Sequence, residues 1–173
     1  MQTFNLTRLN FHSPYKVWAE DNEYKFITDY EVSYRIIFSP NNDIWKEGAY
    51  EFGIFNENQK ISPNDPKVKG TVEAIIEEFF LTNPNILLYQ CETGDNRQAM
   101  RARLFAKWFN EYENKSRFFI KVSVLHDDDI DNYIALIVQK SNPELNNILQ
   151  TFSKRIRDAS RYTSKKYRSS FYS

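Results

Sequence analysis

The sequence has few of the features that mark exported or membrane proteins. Its 173 residues include one cysteine, Cys91, so no disulfide can form within the chain, which indicates a reducing compartment. No run approaches the length of about 18 apolar residues that a membrane-spanning helix needs. Met1–Ser13 has no apolar run between basic and small residues, as a signal peptide would. We therefore expect a cytoplasmic protein without membrane attachment.

Sequence signatures of common catalytic and cofactor sites are also lacking. The chain contains no P-loop, no GxGxxG, no HExxH and no CxxC. Cys91 has no nucleophile signature around it, and His12 and His126 are the only histidines. The acidic turn 127–131 lacks the glycine and glutamate of an EF-hand loop, so we expect a solvated turn and no metal. The sequence favours a protein that is not an enzyme.

The apolar patterns predict an α+β fold. Hydrophobic residues make up 41% of the chain and aromatic residues 16%, enough for a real core. Helices are expected from the Asp65 cap to Asn83, from Arg97 to Tyr112, and from Ser141 to Ala159. Strands are expected over 15–18, 24–28, 32–38, 49–55, 86–91, 117–125 and 133–139.

The predicted element order is β-β-β-β-α-β-α-β-β-α. It indicates a mostly antiparallel sheet with one inserted βαβ unit and three helices. The predicted boundaries are an N-terminal arm over 1–14, a single α+β domain over 15–160, and a basic, flexible C-terminal tail over 161–173.

The segment that opens the second helix is a candidate anion site. Arg97 and Arg101 are four residues apart, so they lie one above the other at a helix start, where unpaired N–H groups and the helix dipole favour anions. We expect Asp95, Asn96, Arg97 and Arg101 to bind an acidic group of a ligand or partner. The structural alternative is that the two arginines pair with Asp95 or a strand carboxylate.

Charge is distributed unevenly, although the net charge is zero. Residues 154–173 hold seven basic side chains and one acidic one, which leaves −6 on the first 153 residues. Basic groups neutralise phosphates and aromatic rings stack on bases. The candidate nucleic-acid-binding residues are Lys154, Arg155, Arg157, Arg161, Tyr162, Lys165, Lys166, Tyr167 and Arg168. The alternatives are docking of a protein partner and a tail that only balances charge.

Residues 15–140 resemble an uncharacterised family of small bacterial proteins. The residues that carry this resemblance are Asp65, Val68, Thr71, Val72, Ile75, Ile76, Phe79, Phe80, Leu87, Leu88, Asp95, Asn96, Arg97, Arg101, Leu104, Phe105, Trp108 and Phe109. The resemblance brings no assigned activity.

The element order over residues 32–139 is also similar to the later part of GCN5-related N-acetyltransferases. Lys67–Val72 occupies the place of their Gln/Arg-x-x-Gly-x-Gly/Ala loop, which implies a coenzyme A site at Lys67, Gly70 and Thr71. Residues 96–99 match the Asn-x-x-Ala that often follows in those enzymes. Val72 and Phe105 depart from the pattern, and Phe105 has no hydroxyl with which to act as the general acid.

We expect a non-catalytic binding module, with an anion-receptive face at Arg97 and Arg101 and a basic tail that docks a protein or nucleic acid. A bacterial toxin–antitoxin or defence setting would suit such a protein. One alternative is an atypical acyltransferase with coenzyme A as its cofactor. The other is a single-stranded nucleic-acid binder that acts through the tail.

Overall fold

The computed structural model describes residues 1–42, 48–61, 63–90, 98–127 and 130–170. For residues 98, 125–127, 130–131 and 159–170 only the backbone is described. The chain divides into two compact units, Met1–Ser39 with Glu51–Asn85, and Pro40–Tyr50 with Ile86–Ser173. The boundaries predicted at residues 14 and 160 stay predictions.

The elements follow the predicted order after one additional helix. The helices are α1 (Leu6–His12), α2 (Pro66–Thr82), α3 (Gln98–Glu111) and α4 (Leu145–Ser170), with a short 3₁₀ turn at Lys115–Arg117. The strands are β1 (Trp18–Glu20), β2 (Glu23–Ile27), β3 (Ser33–Pro40), β4 (Ala49–Asn56), β5 (Ile86–Gln90), β6 (Phe118–Asp127) and β7 (Ile130–Gln139).

The strands form a seven-stranded sheet in the order β1-β2-β3-β4-β5-β7-β6. The pairs β1–β2, β2–β3, β5–β7 and β6–β7 are antiparallel. The predicted α+β class with a mostly antiparallel sheet is therefore confirmed. The predicted number of helices is wrong, because α1 is a fourth one.

The βαβ unit of the second compact unit is a split one. β5 and β6 both run antiparallel to β7, so they are parallel to each other, with β7 between them and α3 in the connection. Alternate residues of β7 point to opposite faces. One face carries Ile134, Leu136 and Val138, which pack with Ile148 and Phe152 of α4.

The α2 helix of the first unit forms where its sequence predicts. The Asp65 side chain accepts a hydrogen bond from the Lys67 N–H at 2.9 Å, Pro66 occupies the first turn, and Asn83 caps the other end. Ile75 and Phe79 are fully buried, and the Phe79 ring stacks on Phe38 with centroids 5.0 Å apart. The apolar stripe of α2 is thus the core stripe of this unit.

The first predicted strand is misplaced, because β1 begins at Trp18 and not at Tyr15. The Asn10 side chain hydrogen-bonds to both backbone groups of Val17. Its Oδ1 accepts from the Val17 N–H at 2.6 Å, and its Nδ2 donates to the Val17 carbonyl at 2.8 Å. A side chain therefore satisfies backbone groups that a neighbouring strand would otherwise pair.

No helix in the described part of the chain is both long enough and apolar enough to cross a membrane.

Candidate anion-binding surface

The α4 helix begins as an amphipathic helix on the second unit. Ile148 and Phe152 are buried in one cluster with residues of β5 and β7, α4 packs on β6 and β7, and Ile156 continues the same stripe in partial burial. These residues are four apart, so they share one side of the helix. The buried stripe therefore fixes which side of α4 faces solvent.

Three cations lie on the exposed part of α4. Lys154, Arg155 and Arg157 are all exposed, and none of them makes an ion pair or hydrogen bond to a described side chain. Their charges are therefore available to a partner.

The α4 helix extends further toward the C-terminus than the sequence pattern predicts. The apolar stripe fades after Ala159, where the sequence predicts fraying, but the helix continues to Ser170. At 3.6 residues per turn, five basic positions fall within an arc of about 80°, on the side opposite the buried stripe. These positions, which we call the basic stripe, are Lys154, Arg157, Arg161, Lys165 and Arg168.

The basic stripe is a linear array. Its first and last positions are 14 residues apart in one helix, a rise of about 21 Å at 1.5 Å per residue. Arg155 and Lys166 fall about 100–120° away from Lys154 on the same helix. Residues 154–170 contain one acidic side chain, Asp158, against seven basic ones. This part of the helix is suited to an extended anion.

The candidate site at the start of α3 is partly described. Asp95, Asn96 and Arg97 lie outside the described residues, and α3 begins at Gln98. Arg101 is half-buried and has an interaction partner. The apolar residues of this helix are only partly covered, because Phe105 is buried against Tyr89 whereas Met100 and Leu104 are 52% and 45% exposed. The anion role of Arg97 and Arg101 stays a prediction.

The residues implied for coenzyme A all have partners within the first unit. Lys67 Nζ lies 2.5 Å from Asp29 Oδ2, and Thr71 is fully buried with its Oγ1 accepting from the Tyr15 N–H at 3.2 Å. A Cβ on Gly70 would come within 2.9 Å of Pro14 Cγ. Close packing on Pro14 thus explains why position 70 is a glycine. The cofactor role of Lys67, Gly70 and Thr71 stays a prediction.

Tyr15 joins the elements around that helix start. Its buried hydroxyl donates to Asp65 Oδ2 at 2.6 Å and accepts from the Asp29 N–H at 3.2 Å. Burial, followed by the hydrogen bond to the Asp65 carboxylate, raises the pKa of Tyr15 to about 12. The ion pair between Lys67 and Asp29 raises the pKa of the lysine and lowers the pKa of the aspartate. The Tyr15 hydroxyl thus links the N-cap of α2 to the loop that contains Asp29.

Sequence reasoning missed a buried carboxylate on α2. Glu78 is 2% exposed in its side chain and accepts from Arg8 Nε and Nη2, both at 2.8 Å, and from the Asn5 N–H at 2.8 Å. Asn5 caps α1 by accepting from the Arg8 N–H at 3.0 Å. The only sequence signal was that cap, since Arg8 and Glu78 are 70 residues apart.

The described residues contain no group of three or more His, Cys, Asp or Glu side chains that could hold a metal ion. Cys91 and residues 128–129 of the acidic turn lie outside the described residues.

The fold and the basic stripe define an α+β protein with a cationic helical surface. The chain belongs to a family of unknown function (DUF6169), whose model matches residues 64–154, more than half of the chain. The predicted membership in an uncharacterised family is confirmed. No curated protein matches the chain, and no solved structure matches it.

Proposed function

We propose that the protein is a non-catalytic binding module that binds the phosphate backbone of nucleic acid through the basic stripe of α4. The observation that carries the proposal is the position of that stripe. It runs along the side of a continuous helix opposite the residues that anchor the helix to its sheet. A partner can therefore reach the cations without disturbing the core.

The spacing of the charges favours a polyanion over a single anionic group. Neighbouring stripe positions are three or four residues apart, which is about 5 Å along a helix. Duplex DNA carries a phosphate about every 3.4 Å along each strand, so it supplies more charges than the stripe contains. A small anion would meet only one or two of these cations.

The net charge of the rest of the molecule also favours the basic stripe as the surface that binds phosphates. Residues 1–153 carry a net charge of −6, and such a surface repels phosphates. Binding of nucleic acid is therefore expected to depend on α4. The competing interpretation is that the basic stripe binds a protein partner with a row of carboxylates. Comparing nucleic acid with an acidic peptide separates these two kinds of partner.

The experiment measures fluorescence anisotropy of a labelled duplex, and of a labelled single strand of the same length, titrated with the full chain. The test variant replaces the stripe with glutamine, a residue of similar helix propensity: Lys154→Gln, Arg157→Gln, Arg161→Gln, Lys165→Gln and Arg168→Gln. We expect the wild type to bind at least one probe and the variant to lose most of that affinity. Thermal unfolding of both proteins checks that the variant is folded.

Three outcomes would contradict the proposal. They are no binding of either probe at low salt, equal binding by the wild type and the folded variant, and binding of an acidic peptide in preference to both nucleic acids. A stronger response to the single strand would point to stacking by Tyr162 and Tyr167, and a stronger response to the duplex to phosphate contacts alone.

The anion-receptive face predicted at Arg97 and Arg101 is not needed for this proposal. The coenzyme A alternative stays a prediction, and calorimetry of the wild type with acetyl-coenzyme A would test it.

A further inference from the structure

The second compact unit ends in a long, regular edge strand. β6 is the last strand in the sheet order, with β7 on one side and no described strand on the other. It spans ten residues, about 33 Å at 3.3 Å per residue. Alternate residues of an edge strand direct their N–H and C=O groups outward, where they can pair with another strand.

β6 lacks the devices that usually block such pairing. Its register with β7 is continuous over ten pairs, from Phe118 opposite Gln139 to Asp127 opposite Ile130, so there is no bulge. The strand contains no proline. By contrast, the strand at the other end of the order, β1, has only three residues.

The lysine whose charge could prevent pairing at this edge makes a hydrogen bond to α4 instead. Lys121 is the one lysine of β6, and its Nζ donates to Ser153 Oγ of α4 at 2.6 Å. Lysine side chains that extend past an edge prevent association by their charge. Lys121 instead lies over the face of the sheet that α4 covers.

The opposite face of β6 carries a row of partly uncovered β-branched residues. Ile120, Val122 and Val124 alternate along the strand and are paired with Ile137, Ala135 and Tyr133 of β7. Val122 is 44% exposed, and Ile120 and Val124 are half-buried. Such residues form favourable cross-strand pairs when another strand is added beside them.

We propose that a second copy of this chain occupies this edge, with β6 pairing antiparallel to β6 of its partner about a two-fold axis at Val122. The strand is self-complementary in this register. Val122 lies opposite its own copy, and Ile120 lies opposite Val124. Arg117, which precedes the strand, lies opposite position 127, an aspartate in the sequence. β-branched residues therefore meet along the row of Ile120, Val122 and Val124, and unlike charges meet at the ends of the paired strands.

The first test is the mass of the full chain by sedimentation equilibrium. We expect twice the chain mass of 20.7 kDa for the wild type and for Val122→Thr, which keeps a β-branched residue. Val122→Lys should sediment as a monomer, because two ammonium groups would meet at the axis. Val122 is already 44% exposed, so the lysine can reach solvent and the variant should fold. A monomeric wild type, or a Val122→Lys variant that stays dimeric, would overturn the proposal.

A cross-linking test checks the register and uses Cys91→Ser as its background. Opposite residues of antiparallel strands have Cα atoms about 4.5–5.5 Å apart, within the range of a disulfide. Val122→Cys should therefore form a disulfide-linked dimer under mild oxidation. The matched control Ile120→Cys should not, since its two copies would be four residues apart along the strands, about 13 Å. Cross-linking of the control in preference to Val122→Cys would overturn the register. Neither test involves nucleic acid, so its result is independent of the proposed function.

Discussion

The Tyr15 hydroxyl connects two elements of the first unit through a single atom. It contacts both the N-cap of α2 and the loop that follows β2. We predict that Tyr15→Phe lowers the free energy of unfolding by about 1–3 kcal/mol, because the replacement leaves the Asp65 carboxylate and the Asp29 N–H without this partner. Urea unfolding of both proteins measures the difference. A Tyr15→Phe variant as stable as the wild type would show that water replaces both hydrogen bonds.

The same hydroxyl predicts a dependence on alkaline pH. Its pKa in the folded chain is about 12, above the value of about 10 for an unfolded tyrosine. The folded state therefore holds the proton more tightly, so the stabilisation is fully present below about pH 10 and is lost as the pH rises toward 12. We expect the stability difference between wild type and Tyr15→Phe to shrink over that interval. Burial also raises the pKa of Tyr24, but that group is present in both proteins and cancels. A difference that stays constant up to pH 12 would contradict the assignment.

Gly70 gives a prediction opposite to the usual rule for glycine in a helix. Alanine normally favours a helix interior over glycine by about 1 kcal/mol. Here the added Cβ would lie 2.9 Å from the rigid ring of Pro14, so we expect Gly70→Ala to destabilise the protein by about 1–2 kcal/mol. Chemical denaturation measures the change. In a Pro14→Ala background the same substitution should become neutral or stabilising, and equal effects in both backgrounds would rule out the contact.

Some residues of this cluster could be identified from the sequence and others could not. Asp65 and Pro66 form a local cap, which adjacent residues encode, and both were predicted. The contact of Gly70 with Pro14 joins positions 56 residues apart, and no local pattern encodes it. The same glycine therefore suggested a phosphate loop when only its neighbours in the sequence were considered.

At the scale of elements, α1 shows how a short helix escapes prediction. Its seven residues include one buried side chain, Leu9, so no apolar stripe repeats. Distant contacts hold it instead, chiefly Arg8 to Glu78. Six of the strands and the three longer helices were identifiable because their apolar periodicity extends over more residues, whereas the three-residue β1 was misplaced.

The Arg8–Glu78 pair predicts the cost of losing this tether. Arg8→Ala would leave the carboxylate of Glu78, which is 2% exposed, with the Asn5 N–H as its one donor among the described residues. We expect a measurable loss of stability, smaller than for a pair whose two members are both buried, because Arg8 is 44% exposed. Urea unfolding measures it.

Two variants serve as controls for that prediction. Arg8→Lys keeps the charge and loses the two-pronged geometry, so its effect should be smaller. A double variant, Arg8→Met with Glu78→Leu, should recover much of the loss, since no buried charge remains. If Arg8→Ala and the double variant are equally unstable, packing of α1 and not charge pairing is the main contribution.

At the scale of the whole molecule, the sequence predicts the charge asymmetry but not its arrangement. Counting residues is sufficient to place +6 in the last 20 positions. The apolar stripe fades after Ala159, so the pattern predicts a flexible tail, whereas the described backbone is helical to Ser170. Because the segment is helical, five of its basic positions fall on one side of α4. An edge strand was equally hidden, since sheet order depends on pairings between distant strands.

The two proposals together predict bivalent binding. The two-fold axis of an antiparallel β6–β6 pair is perpendicular to the sheet, so α4, which packs on one face of β6 and β7, would lie on the same face of the joined sheet in both copies. A monomeric Val122→Lys variant should then bind long duplex DNA more weakly than the dimer, by about tenfold or more. Anisotropy with a long and a short duplex measures this. Equal affinity of monomer and dimer for the long duplex would show that the two stripes cannot act on one molecule.

The most direct test of the central claim is the salt dependence of nucleic-acid binding by two variants with the same change in charge. Arg161→Gln with Lys165→Gln removes two cations from the basic stripe, and Arg155→Gln with Lys166→Gln removes two from outside it. Five phosphate contacts predict a slope of log K against log salt of about −4.5 for duplex DNA, and loss of two contacts reduces it to about −2.7. We predict that reduction for the stripe variant and a slope close to the wild-type value for the other. Equal slopes for the two variants would contradict a stripe that binds phosphates and would leave only a general attraction by net charge.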